Sequence, residues 1–467
     1  MRPPRRGSRP STPYTLNPTP RRFLYSRRGL GYPTVIMKQQ LLITGGIVLD
    51  PARNYQQAAE VLIEDGKIMA VEPGLQVRAG PMRVVHASGC FVCPGFIDPH
   101  VHLREPGQEA KETIATGSNA AVAGGFTTIL CMPNTQPTLD DATQIEFVYT
   151  QAARAGLCNV LPMGAITKGR KGLELAEMGL MHEAGAIGFT DDGTGVASAA
   201  VMQKALQYVK MFDGILSQHC EEPSLGAAAG GAMNAGPVAT RLGIGGLPAA
   251  AEELMIARDI LLNQQIEARY HVQHISTAGA VELVRRAKFQ GQRVTTEVTP
   301  HHLLLTDAAC SCYDTNTKMS PPLRTQKDID ACIQGVIDGT IDCFATDHAP
   351  HTQEEKDLEF DKAPFGIVGL ETALALYIKA LVQPGHISWL KLVELLSTGA
   401  AKVMRLTGRG ALTPGSIADV TIFNPEETWT IDPAKFKSKG RNTPFAGWQV
   451  KGRVKTTIVG GAVVYEE

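Results

Sequence analysis

At 467 residues, with 43% hydrophobic and 19% charged residues and 47 glycines, the chain can bury a large core and has the composition of an ordinary globular protein, not of a disordered or fibrous one. Its net charge is −1, but residues 1–36 hold eight arginines and no acidic residue or lysine, which leaves −9 on the rest and no generic surface for nucleic acid. Nine scattered cysteines form no disulfide framework and no run of about 18 apolar residues offers a membrane span, so a reducing cytoplasm is the expected setting.

Residues 1–36 are rich in Pro and Arg and lack an apolar h-region, which excludes a secretory signal. Two readings stay open: a disordered or transit-like basic arm, or sequence lying upstream of a start at Met37. The second is favoured, because MKQQLLITGGIVLD reads as a natural beginning with a strand and a Gly-Gly turn. Residues 37–90 alternate in short β-like pieces around Leu41, Val61 and Ile68, and residues 406–467 do the same around Val420 and Val459. Both ends are expected to build one small β-sandwich. Cys90 and Cys93 are formally a CxxC pair, but with no second pair they read as structural.

Between the ends, over residues 91–405, apolar runs at 95–102, 127–132, 159–164, 186–190, 214–219, 269–274, 293–298 and 341–346 are each followed by a polar cluster and an Ala-rich, helix-like stretch. Eight such units predict an α/β fold with a (β/α)8 TIM barrel. In such a barrel, catalytic groups stand at the C-terminal strand ends. The run ends carry His100 and His102, Asn134, Asp191 and Asp192, His219, His274, His301 and His302, and Asp347 and His348.

Of twelve histidines, nine lie near those ends, and only His86, His182 and His386 fall elsewhere. That clustering from five segments predicts a metal centre. In DPHVHLREPG, residues two apart share a strand face, so Asp98, His100 and His102 should point inward together and Arg104 should continue the series. Imidazole nitrogens suit zinc. The remote partners would be His219, His274, Asp347 and a carboxylate of FTDDGTG. A divalent ion in an open site lowers the pKa of water from 15.7 to about 7, and Asp347 could both hold the ion and shuttle a proton.

The segments GFIDPHVHLREPG, MPNT, FTDDG, HCEEPSL, HVQHIST, EVTPHHL, KMSPPLR, TDHAPHT and APFG, in this order, resemble dihydroorotase of the amidohydrolase superfamily, in its bacterial class I form, over residues 40–465. The resemblance implies a zinc enzyme of pyrimidine synthesis, with one or two ions per subunit, that reversibly cyclises N-carbamoyl-L-aspartate to L-dihydroorotate and water. By that likeness His100, His102 and Asp347 hold one ion, His219 and His274 a second, and Asp192 bridges where many superfamily members carry a carboxylated lysine. Asp192 is preferred over Asp191 because its 27-residue spacing to His219 is similar to the family's.

A substrate carboxylate calls for a guanidinium fork, which Arg104 offers. The likeness adds His102, Asn134, His351, Ser320, Phe365 and Gly366 as substrate contacts. Ser320 stands where relatives often have Asn, which puts a direct ring contact in doubt, and His301 and His302 read as supporting residues. The charged stretch at residues 351–362 fits a lid or a plain solvated loop. A homodimer and a complex with aspartate transcarbamoylase are the expected partners, with no nucleic acid and no membrane. Competing readings are a dihydropyrimidinase, hydantoinase or allantoinase, or an inactive scaffold for the transcarbamoylase.

Overall fold

The computed structural model describes residues 40–75 and 82–467; the basic leader of residues 1–36 lies outside them. The chain begins with strands β1 (Gln40–Thr44), β2 (Ile47–Asp50), β3 (Tyr55–Ala58), β4 (Glu60–Glu64), β5 (Lys67–Glu72), β6 (Met82–His86) and β7 (Phe91–Pro94). Four of them form a sheet in the order β5-β4-β1-β6. In β1 and β4 every second residue is buried, the period-two signature of a half-covered strand.

The barrel strands follow: β8 (Phe96–Val101), β9 (Phe126–Cys131), β10 (Asn159–Pro162) and β11 (Ile215–Gln218), then, after a separate short pair β12 (Met233–Asn234) and β13 (Gly246–Leu247) that lies outside the barrel sheets, β14 (Arg269–Val272), β15 (Val294–Val298) and β16 (Cys343–Phe344). Parallel ladders run β8-β9-β10 and β11-β14-β15-β16. Parallel bridges Gly164 to Phe189, Phe189 to Leu216 and Val101 to His348 join the two ladders into a closed ring of eight staves. The expected run at residues 186–190 is the stave made by Phe189 alone. β8 and β9 are buried along their whole length, as parallel strands covered on both faces must be. Thr113, Asp141, Ser198 and Thr277 cap the N-termini of helices Ile114–Ala123, Ala142–Ala155, Ala199–Lys210 and Ala278–Phe289, which ends each preceding loop sharply.

The chain closes with β17 (Val420–Thr430), β18 (Gln449–Val459) and β19 (Ala462–Glu466), in a six-stranded sheet of order β19-β18-β17-β7-β2-β3. β7, four residues beyond the boundary expected at residue 90, pairs with β2 and β17 in this sheet. Leu41, Ile43, Val61 and Ile68 of the first sheet share one apolar cluster with Val48, Val92, Val420, Ile422 and Ile458 of the second. A single residue, Gly95, separates β7 from β8, and a side chain there would overlap Thr127. The end sheet therefore leads directly into the strand that carries His100.

Candidate active site

Six of the sequence-derived residues converge at the C-terminal end of the ring. His100 Nε2 lies 3.2 Å from Asp192 Oδ1 and 3.5 Å from Asp347 Oδ1. His102 Nε2 lies 2.9 Å from Asp347 Oδ1 and 3.6 Å from Asp192 Oδ2. His219 Nδ1 and His274 Nε2 are 3.0 Å apart, and each is 3.8 Å from Asp192 Oδ1. Asp192 thus faces all four imidazoles, and all six side chains are buried.

Donor chemistry and protonation fit a divalent cation. The triads His100, His102, Asp192; His100, His274, Asp347; and Asp192, His219, His274 each place nitrogen and oxygen donors within 4.8 Å of one another. His100 Nε2 is buried and finds no hydrogen-bond partner among the described residues. Burial would raise both aspartates, yet His100 and the neighbouring imidazoles hold Asp192 and Asp347 well below the usual carboxylate range. Burial would likewise depress His100, but Asp192 and Asp347 push it far above its ordinary value. Two ionised carboxylates in a dry pocket thus demand positive charge.

A second layer of hydrogen bonds fixes the rings. His100 Nδ1 donates to Glu297 Oε1 at 2.9 Å, and Glu297 Oε2 accepts from His271 Nε2 at 3.0 Å. These bonds outweigh burial and pull Glu297 down to about 2. His102 Nδ1 donates to Asn134 Oδ1 at 2.8 Å, while Asn134 Nδ2 donates to Asp192 Oδ2 at 3.1 Å. With Nδ1 bonded outward, His100 and His102 turn their Nε2 atoms to the cluster.

Sequence reasoning missed Glu297. Its signal was a lone carboxylate in the β15 run, two staves round the ring from the paired histidines.

Asp191 turns away from the imidazoles and accepts hydrogen bonds from the backbone of Ile166 (2.9 Å) and Thr167 (3.0 Å) and from the Thr167 hydroxyl. Asp98 is buried but is not one of the cluster's donors. Its carboxylate accepts from Thr346 N at 3.1 Å, Thr346 Oγ1 at 2.6 Å and His100 N at 3.1 Å, bracing the seam between β8 and the segment after β16. The two-residue period does not reach Arg104 either, because β8 stops at Val101 and Arg104 takes a left-handed φ of 60°. Its side chain arrives by that turn. His274 (φ 30°), Asp347 (φ 47°) and Arg170 (φ 55°) are left-handed as well, a concentration of backbone strain at this rim.

Arg104 Nε donates to Pro350 O at 3.2 Å, and Nη2 lies 3.3 Å from His351 Nε2. Burial lowers this guanidinium to about 10 and, with the Arg104 charge beside it, drives His351 to about 2, so the imidazole stays neutral. His351 Nε2 also meets Phe365 O at 2.9 Å. Gly366, at φ 153°, has no room for a Cβ, which would come within 2.6 Å of Ala349 O. Ser320 Oγ donates to Glu221 Oε2 at 3.1 Å, on the His219 side.

His302 donates to Pro321 O at 2.9 Å, and burial holds His301 at about 4. His348 is bound to Glu112 at 3.3 Å, outside the cluster. The charged stretch at residues 351–362 contains the short helix Gln353–Lys356. It is pinned by Lys356, whose Nζ donates to Pro364 O at 2.9 Å and Gly366 O at 3.3 Å.

An inward-facing imidazole and carboxylate cluster at the mouth of a closed parallel ring defines an amidohydrolase-type site. A family description reading amidohydrolase family matches residues 366–465, and one reading dihydro-orotase-like matches residues 89–280. The chain is 51% identical to a dihydroorotase of Pelotomaculum thermopropionicum, over 92% of this chain and 99% of that one. It is 49% identical to a dihydroorotase of Solibacter usitatus, over 91% and 97%. Among solved structures, an L-hydantoinase from Arthrobacter aurescens aligns with a TM-score of 0.81 at 27% identity, over 92% of this chain and 96% of that one. The chain belongs to the dihydroorotase family.

Proposed function

We propose that this chain catalyses the reversible ring closure of N-carbamoyl-L-aspartate to L-dihydroorotate and water, in pyrimidine synthesis, at a zinc centre. The observation that carries this reading is Asp192 within 4 Å of four histidines, with the Arg104 and His351 pair on the same rim. His100, His102 and Asp347 would hold one ion, His219 and His274 a second, and Asp192 would bridge. Bound there, a divalent ion supplies Lewis-acid polarisation and water that ionises near neutral pH.

The protein's own residues do the rest. Asp347, held ionised beside His100 and His102, takes a proton from the attacking water in ring opening and gives it to the departing ring nitrogen. In ring closure the same carboxylate relieves the carbamoyl nitrogen of its proton and returns it, with a second proton taken up from solvent, to the oxygen that leaves as water. Arg104 offers two parallel N–H donors to the carboxylate that ring and open chain share, and neutral His351 orients it. Asn134 holds His102 and Asp192 while lining the same side, and the Phe365 and Gly366 carbonyls hold His351 and Lys356 beside it. Ser320, turned toward Glu221, supports His219 more directly than the ring.

In this reading residues 96–405 form the catalytic barrel, and residues 40–75, 82–94 and 406–467 a small β-sandwich whose two sheets share an apolar cluster. The working form would be a cytoplasmic homodimer, able to associate with aspartate transcarbamoylase. Among the described residues no helix is long and apolar enough to cross a membrane.

The likeness to a hydantoinase favours a second reading, hydrolysis of a neutral cyclic amide. The buried Arg104 guanidinium argues for an anionic ring instead. Metal analysis of the purified protein, with turnover of dihydroorotate compared against dihydrouracil and allantoin, decides between them. Zinc with dihydroorotate turnover is expected, and Asp347→Ala should abolish it while leaving the fold. Turnover of dihydrouracil alone, or a protein with neither metal nor turnover, would overturn the reading.

A further inference from the structure

Adjacent carboxylates of this site divide their work. Asp192 faces the imidazoles, whereas Asp191 grips Ile166 and Thr167 at the start of the loop after β10. From Thr167 the loop folds back on itself: Arg170 N donates to Thr167 O at 3.0 Å, and the Thr194 hydroxyl donates to Arg170 O at 3.4 Å. Gly169 and Arg170 are both left-handed, at φ 59° and 55°. Glycine adopts that conformation freely, but for arginine it is strained and persists only where the surroundings enforce it.

The result of this turn is a guanidinium brought to the edge of the metal cluster. Arg170 Nη2 lies 3.7 Å from where a Cβ of Gly193 would stand, and Asn134 Nδ2 lies 3.6 Å from the same point. Gly193 follows Asp192 in sequence, and Asn134 is the residue bonded to both Asp192 and His102. Burial disfavours the Arg170 charge, and Asp192 is the carboxylate that most favours it. Among the described residues, Arg170 has no carboxylate within salt-bridge distance, and its buried Nε has no hydrogen-bond partner. Arg104, by contrast, is anchored on Pro350 O and His351.

The two compounds of the proposed reaction differ by one charge. N-carbamoyl-L-aspartate carries two carboxylates and L-dihydroorotate one. The carboxylate they share suits Arg104 at the His351 end. The other is consumed, because its carbon becomes the ring carbonyl, so it must approach Asp192 and Asp347. We propose that Arg170 binds this second carboxylate of the open-chain dianion and is a specificity-determining residue for ring closure. The inference rests on the function proposed above.

A contact made in the open-chain complex, kept on the way to the transition state and lost in the ring complex has a fixed kinetic signature. The equilibrium constant cannot change, so removing the contact raises KM for one substrate and lowers kcat for the other by the same factor.

The test compares wild type, Arg170→Met and Arg170→Lys, metal-loaded, in both directions, with metal content and Tm measured alongside. For Arg170→Met the expected result is a rise of about tenfold or more in KM for N-carbamoyl-L-aspartate with kcat nearly unchanged. In hydrolysis, kcat falls by the same factor and KM for dihydroorotate holds. Arg170→Lys should lie between, with metal content and Tm as in wild type. Unchanged constants would overturn the proposal, as would a rise in KM in both directions, which would put Arg170 on the shared carboxylate, or a loss that tracks metal content. A wild type that turns over neither compound would instead overturn the functional reading, and this inference with it.

Discussion

The two halves of the imidazole cluster are built differently. On the β8 side each ring is held from behind: His100 by Glu297 at 2.9 Å, which His271 also engages, and His102 by Asn134 at 2.8 Å. On the other side His274 Nδ1 is buried with no hydrogen-bond partner among the described residues, and His219 Nε2 stands 3.8 Å from Glu221. Outer hydrogen bonds fix a ligand's tautomer and direction before an ion arrives. The β8 half is therefore preorganised, and the His219 and His274 half must be organised by what it binds.

The largest effect should come from the residue the halves share. Asp192→Ala removes a carboxylate from both, and turnover should fall about a thousandfold or more together with metal content; retention of metal in one half would show that the halves bind independently. Next, Glu297→Gln should weaken metal binding by about 10–100-fold, as measured by competition with a chromogenic chelator. Glu221→Gln should cost less than about fivefold, since its distance to His219 is already long; equal losses would erase the asymmetry. Chelation of the wild type should then proceed in two phases, with the faster one belonging to His219 and His274. His219→Ala should remove that phase and leave the slower one.

A control outside both halves carries the smallest effect. Lys356 is buried against Pro364 O and Gly366 O, and burial, aided by Lys318, lowers it from 10.5 to about 7. Between those values the unfolded chain binds the extra proton, so stability relative to Lys356→Met should rise with pH. The slope is up to about 1.4 kcal/mol per pH unit, and the gain is absent below pH 7. Denaturant titrations of both proteins from pH 7 to 10 measure it, and neither chelation phase should change.

The ring of staves was legible because parallel strands covered on both faces are written as unbroken apolar runs, and seven of the eight expected runs contain an observed strand. The fourth shrinks to Phe189, since a stave needs only its bridges to Gly164 and Leu216, not a ladder of its own. Within the cluster, histidines were legible because they are rare and sit at run ends. Glu297 was not, because one acidic residue in a strand looks like any polar position until His100 is brought against it from 197 residues away. Arg104 illustrates the opposite case: the period-two argument found the right residue by a rule the backbone abandons at Val101. Asp98 obeyed the same rule and was drawn off by Thr346, a partner that pattern alone cannot supply.

The single glycine between β7 and β8 ties the timing of the site to the far end of the polypeptide. β7 is paired along its length with β17, and Thr421 bonds back to Gly125 O and Phe96 N at the N-terminal end of the barrel. Thr457 reaches Val122 O in the same way. On a ribosome, His100 and His102 emerge more than 300 residues before the strands that clamp their own strand's root. The catalytic mouth is thus a late product of synthesis, and a nascent chain that stops short of β17 carries the ligands without the frame that aims them.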